Sequence, residues 1–430
     1  MQPQIVKQWT TQTLPANWFK QQQTDLKDVD QVDVVVRDII SQVRKDGDKA
    51  LIGFAEKFDK AKLTPQTLKV SKEELAEAYS KVTSQQIDAL QFMKQRVETY
   101  QKKQLQTENQ IDIDGIIIKT VLCPLDSIGC YVPGGQAAYP SSVVMTVIPA
   151  KVAGVKRIVV CSPSNAEGKV NALVLVASDI CGVSEVYKVG GAQAIAALAY
   201  GTQTIQPVRK IVGPGSKYVT TAKVLVSTDV AIDMPAGPSE VLILADETAN
   251  PRLVALDMIS QAEHGSDSIA GLITTSKQVA KKVQECLAEF VPSIERSEKV
   301  FASLKKYGFI ITCDNVEEMI YLSNQFAPEH LEIITKNAND LSEKLVAGLI
   351  LIGHYSPVAL SDYASGTNHV LPTGMFAQSF SALSVYDFSR RVSIVESSKN
   401  GLEKTKNIVK ILTDAENFPN HYKAIAARFQ

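Results

Sequence analysis

Five histidines occur among the 430 residues, and three of them sit where proton transfer or metal ligation would want them. His264 closes Ser260-Gln261-Ala262-Glu263-His264-Gly265, His330 follows Glu329 in Ala327-Pro328-Glu329-His330-Leu331, and His421 lies five residues past Glu416. Imidazole is both a common metal ligand and a proton carrier near neutral pH. A scarce residue placed repeatedly beside carboxylates and amides points to an enzyme.

Glu329-His330 is the strongest proton-transfer candidate. Pro328 disfavours helix in the residue before it, so a bend there can turn both side chains toward one cavity. The plain alternative is a surface pair at a turn. Gln261 and His264 share one face of a helix expected from Pro251, with Asp257 four residues before Gln261. A histidine satisfied by a backbone carbonyl is the competing reading, and glutamine is an uncommon ligand. Asp362, in the small polar stretch Leu360–His369, could supply a hard oxygen ligand or cap a turn. His354 and His369 have no partner by spacing and read as structural.

Three glycine turns could cradle phosphate: Pro133-Gly134-Gly135, Gly190-Gly191 and Gly213-Pro214-Gly215. The last lies between an expected strand and helix, but Tyr218 stands where a dinucleotide fingerprint has its third glycine. Asp233–Ser239 forms a tight loop between strands, and Ser239 could bind a ligand or close the turn.

The elements that must position these residues follow from pattern. Residues 1–23 are polar and Gln-rich, an arm that needs another surface to order it. Helical spacing runs from about Asp30 to Phe58, and capping boxes at Ser71/Glu74 and Thr83/Gln86 open two further helices. After Asp114, apolar β-branched runs near Val159, Val186, Ile211, Val241, Ala270, Ile310 and Ile350 alternate with helices. Parallel sheets covered on both faces produce that texture, and they bind ligands at the carboxyl ends of their strands. Gly134–Ser142 reads as the way into a second unit and the strand near Glu240 as the return. The strands stop after about Ser384, with two helices over 399–430.

Composition narrows the class. The chain is 45% hydrophobic and 21% charged, with a net charge of -1, so no basic stripe directs it to nucleic acid or a membrane surface. No secretory signal or bilayer-length apolar run is evident. Six cysteines, without a CxxC pair, read as small buried hydrophobes in a reduced, cytoplasmic setting.

Together these segments resemble the histidinol dehydrogenase family. The resemblance is carried in order by Tyr131-Val132-Pro133-Gly134-Gly135, Val189–Ala196, Ile232–Glu240, Ser260–Gly265, Ala327–Leu331 and Asp362–Thr373. It implies an α/β fold of two incomplete Rossmann-like parallel-sheet domains, with a helical N-terminal arm and a helical C-terminal extension. The implied division is an arm over 1–23, a first domain over 24–130 and 241–383, a second over 131–240, and an extension over 384–430.

The resemblance further implies a four-electron oxidation of L-histidinol to L-histidine through histidinal, with two NAD per turnover and one zinc per subunit. The zinc ligands would be Gln261, His264, Asp362 and His421, the last arriving from the other subunit of a homodimer with shared sites. His330 would be the general base and Glu329 would activate water. Ser239 and Glu416 would join Gln261, His264, Glu329, His330, Asp362 and His421 around the substrate. Tyr131, Gln193 and Ser216 would contact NAD, with Ser216 standing where the family usually has asparagine. Three other readings compete: a zinc alcohol or amino-alcohol dehydrogenase with another substrate, a zinc hydrolase using Glu329, and a non-catalytic scaffold.

Overall fold

The computed structural model describes residues 4–21, 29–105, 109–134, 138–235 and 237–429. Gly135, Gln136, Ala137 and Ala236, which carry parts of two of the motifs above, lie outside the described residues, as do 22–28.

Two parallel sheets dominate. In the first, five strands lie in the order Glu185–Tyr187, Arg157–Cys161, Ser127–Tyr131, Lys210–Val212, Ala231–Ile232. The chain steps outward twice from Ser127–Tyr131 through helices Pro140–Ala153 and Ala172–Ile180, then returns to the other side of its starting strand. That reversal creates a Rossmann-type switch point between Ser127–Tyr131 and Lys210–Val212. In the second sheet, six strands lie in the order Lys7–Thr10, Phe309–Thr312, Ile269–Thr274, Glu240–Ala245, His330–Ile334, Leu349–Ile352. With the N-terminal strand set aside, its winding is the same, so one topology occurs twice.

Helices cover both faces of each sheet because continuous runs such as Val241-Leu242-Ile243-Leu244 are buried throughout. On the five-stranded sheet, Pro140–Ala153, Ala172–Ile180 and Ser84–Gln104 build one core, and Val29–Asp46, Gly191–Tyr200 and Lys217–Val226 the other. Helices Val29–Asp46 and Ser84–Gln104 therefore pack with the five-stranded sheet, not with the 241–383 segment with which the implied division groups them. The Ser127–Tyr131 strand belongs to that sheet too. Both expected capping boxes are present, with Ser71 and Thr83 accepting from Glu74 and Gln86.

Three further features differ from expectation. The N-terminal arm finds its surface on this chain: Lys7–Thr10 extends the six-stranded sheet, and Trp18 and Phe19 pack against Phe309 and Phe326. Asn109–Ile113 and Ile116–Pro124 form an antiparallel hairpin, turned by Asp114 and Gly115 at φ 56° and 87°. The C-terminal extension is not wholly helical, because Ser389–Ser397 adds a third strand to that hairpin before helices Lys399–Ala415 and Pro419–Ala426. No helix among the described residues is long and apolar enough to cross a membrane.

Candidate active site

Two neighbouring strands of the six-stranded sheet, Glu240–Ala245 and His330–Ile334, bring Glu240 and His330 together. Helix Val316–Phe326 ends at Ala327, a non-glycine residue at φ 44°, and Pro328 then forces extended backbone into the His330–Ile334 strand. His330 pairs in register with Val241, which sets its ring beside the Glu240 peptide. Glu329 is buried and accepts the Glu240 N–H at 2.7 Å through Oε2.

His330 Nδ1 lies 3.1 Å from the Glu240 carbonyl oxygen and 3.5 Å from Glu329 Oε2. Both are acceptors, so in the neutral ring Nδ1 carries the proton and Nε2 presents a lone pair. That Nε2 is buried without a hydrogen-bond partner, 3.8 Å from Asp362 Oδ1. Burial works against the charged ring, but Glu329 and Asp362 outweigh it and lift His330 to about 9. A cation at Asp362 would offset that carboxylate and return the ring toward the neutral form a base needs.

Gln261 ends helix Pro251–Ala262, is 1% exposed, and has neither amide atom hydrogen-bonded. A buried amide left unpaired costs about 1–3 kcal/mol, so its oxygen fits a ligand or ion that the polypeptide does not supply. His264, in the turn that follows, is exposed, and Asp362 lies buried in helix Val358–Tyr363. Glu416, just past helix Lys399–Ala415, and His421, on helix Pro419–Ala426, are exposed; the two helices pack on each other, and the first on the Ser389–Ser397 strand. Among the described residues, no three His, Cys, Asp or Glu side chains are grouped as metal ligands would be. One chain thus places Asp362 near the Glu329-His330 pair, with Gln261 on a helix that packs against the helix of Asp362, and groups no three of these side chains with His421.

Some residues at the site carry no sequence signal of their own. His369, read from spacing as structural, places Nδ1 3.2 Å from the Asp362 carbonyl oxygen and Nε2 3.5 Å from Ser142 Oγ. Burial holds that ring below its ordinary range. Glu332, two residues past His330, accepts the Val358 N–H at 2.8 Å at the start of the helix that carries Asp362. Its other oxygen has no donor and faces Asp257, one turn before Gln261. Two carboxyls satisfy one another only by sharing a proton. Burial and Asp257 push Glu332 from 4.5 up to about 8, and burial pushes Asp257 up to about 6.

Between the unfolded and folded values of Glu332, the folded chain holds a proton that the unfolded chain has released. Stability therefore falls as pH rises from about 4.5 to about 8. Glu332→Gln keeps the acceptor for Val358 and offers Asp257 an amide donor. Its melting temperature, measured with chelator present, is expected to vary less across that window than that of the unmodified protein. An identical slope in both would place the proton elsewhere.

The site lies at the amino end of the six-stranded sheet, contrary to the expectation of a carboxyl end. The five-stranded sheet meets it there with its own carboxyl edge: Ser142 lies in the first turn of the helix after Ser127–Tyr131, and Asn368 donates to the Met145 carbonyl at 2.8 Å. Gly134 and the Gly190-Gly191 and Gly213-Pro214-Gly215 turns follow strands on that same edge. Tyr131 is buried and its hydroxyl accepts the Gly191 N–H at 3.1 Å. Gln193 is buried in the helix that Gly191 opens, and its amide lies over that turn. Ser216 caps helix Lys217–Val226, exposed and without a side-chain capping bond. Ser239 is half-buried at the start of Glu240–Ala245, and its carbonyl accepts Ile269 N–H at 3.0 Å.

A family model described as histidinol dehydrogenase matches residues 21–429. Among curated proteins, the histidinol dehydrogenase of Methanocaldococcus jannaschii is 45% identical over 398 residues, covering 92% of each chain. That of Clostridium acetobutylicum is 46% identical over 397 residues, again covering 92% of each. The crystal structure of histidinol dehydrogenase from Elizabethkingia anophelis superposes with a TM-score of 0.94 at 34% identity, covering 100% of this chain and 99% of that one.

Proposed function

This chain belongs to the histidinol dehydrogenase family, and from that premise we propose that it oxidises L-histidinol to L-histidine through histidinal, with NAD as the hydride acceptor in both steps. The observation that carries the reading is His330: a buried imidazole whose Nδ1 is engaged and whose Nε2 has no partner.

His330 Nε2 takes the carbinol proton as hydride leaves the adjacent carbon, while the Glu240 carbonyl and Glu329 hold Nδ1–H in place. Glu329 draws a proton from the water that adds to the aldehyde, and His330 acts again when the hydrate is oxidised. Both oxidations in one enclosed site keep a reactive aldehyde from side reactions. Gln261, His264 and Asp362, with His421 of the partner subunit, would hold zinc, whose chemistry here is to fix the substrate's nitrogens and orient its carbinol. The unpaired Gln261 amide and the carboxylate of Asp362 suit that ion. Ser239 and Glu416 complete the substrate contacts.

Tyr131, Gln193 and Ser216 would contact NAD at the switch point, where glycine turns let a cofactor approach the backbone. An added Cβ on Gly213 would lie 2.2 Å from the Tyr131 carbonyl oxygen, so no larger residue fits that turn unchanged. A homodimer would supply His421. The C-terminal segment leaves Val395, Ile408, Ile411, Leu412 and Phe418 more than half exposed, a surface suited to a second subunit.

The testing experiment counts NADH formed per L-histidinol consumed by zinc-loaded protein, before and after chelation. Two NADH per substrate, lost on chelation and restored by zinc, is the expected result. No NADH from folded, metal-loaded protein would favour another substrate or the hydrolytic reading of Glu329.

A further inference from the structure

Beneath the Gly213 turn, two charges are buried where no catalytic step uses them. Lys223, 2% exposed, lies on helix Lys217–Val226 and forms an ion pair with Asp233, which is equally enclosed. The pair grips both polar groups of one residue. Asp233 Oδ2 accepts the Gly213 N–H at 2.8 Å, and Lys223 Nζ donates to the Gly213 carbonyl at 3.0 Å. Asp233 is itself fixed by its N–H to the Ile211 carbonyl at 3.2 Å.

Stability alone does not explain such an arrangement. Replacing a buried ion pair with apolar residues is often neutral or stabilising, because desolvation consumes much of the Coulomb gain. What the pair does specify is a backbone. Gly213 stands at φ 118°, close against the Tyr131 carbonyl, a conformation open to glycine and anchored at both of its polar groups by the pair. Tyr131 in turn receives the Gly191 N–H. One ion pair thus holds the Gly213–Ser216 turn against the strand end that also contacts the Gly191 turn.

We propose that Lys223 and Asp233 are positioning residues for the dinucleotide: they lock the Gly213–Ser216 turn in its binding conformation before the cofactor arrives. The inference rests on the placement of NAD at this edge in the proposed function. A preformed turn spares the ligand the entropy of ordering it, so the pair acts on cofactor affinity more than on chemistry.

The test compares zinc-loaded wild-type protein with the double variant Lys223→Met/Asp233→Asn. That variant removes both charges, keeps an acceptor for the Gly213 N–H, and frees its carbonyl. The KM for NAD is expected to rise tenfold or more, with kcat at saturating NAD, the KM for histidinol and zinc content each within about threefold. A folded variant with unchanged KM for NAD overturns the proposal. So does an equal loss across histidinol affinity, zinc and NAD, which marks a general structural role. If wild-type protein itself shows no NAD-dependent oxidation, it is the proposed function that fails. Should the variant not fold, amide exchange in the wild type decides: slow exchange at Gly213, whose N–H Asp233 accepts, without NAD supports a preformed turn, and protection that appears only with NAD refutes it.

Discussion

His330→Asn is expected to lower histidinol oxidation by about 10²–10⁴-fold, the usual contribution of a general base, while leaving bound zinc and the melting temperature near those of the unmodified protein. The geometry makes this substitution selective. An asparagine amide can still donate to the Glu240 carbonyl that holds Nδ1 at 3.1 Å, so the bend at Pro328 and the placement of Glu329 need not change. What disappears is the lone pair at Nε2, the one atom of the ring that has no partner in the folded chain. The loss should fall on kcat in both half-reactions, because the same ring serves when the alcohol and the aldehyde hydrate are oxidised. Metal analysis and single-turnover NADH formation check it. Loss of zinc from the folded variant would make His330 a ligand and move the base elsewhere.

The parts of the site that sequence exposed are those whose residue type is itself unusual. Glu329-His330 after a proline, and a glutamine one turn from a histidine, stand out because such residues rarely occupy those places without chemistry to do. Glu240 and Glu332 escaped notice for the opposite reason. Glu240 heads an apolar run and Glu332 lies within one, and only the fold shows that Glu240 accepts the Glu329 N–H while Glu332 faces Asp257. His369 likewise gains meaning only when the helix opening at Pro140 brings Ser142 to it across some 227 residues of chain.

Fold class was legible from alternation, since parallel strands buried on both faces must be apolar throughout. Which edge of which sheet holds the site was not. Periodicity is blind to how two sheets are set against each other, and here the amino edge of one meets the carboxyl edge of the other. The hairpin at Asp114-Gly115 did have a local signal, a turn dipeptide between isoleucine-rich runs. Its third strand, Ser389–Ser397, did not, because exposed residues such as Ile394 and Val395 break the polar alternation expected of a solvated edge. The same exposure becomes intelligible if another subunit covers that surface.

Mixing two inactive proteins should therefore restore activity. His264→Asn removes a ligand from the body of the subunit, and His421→Asn removes one from its C-terminal helix. Each homodimer would carry the same defect in both sites. In a heterodimer with two-fold symmetry and exchanged C-terminal segments, one site collects both substitutions. The other receives an intact His264 from one subunit and an intact His421 from its partner. Random reassortment of equal amounts gives half heterodimers, each with one intact site of two, so about a quarter of wild-type activity is expected. Heterodimers isolated through two different tags should show about half. The prediction follows from the proposed shared site, and within one chain no metal-binding group of three forms among the described residues, where His421 is exposed on a C-terminal helix. Confirmed heterodimers without activity would mean that His421 completes the site of its own chain, and the C-terminal helices would then have to swing to reach it.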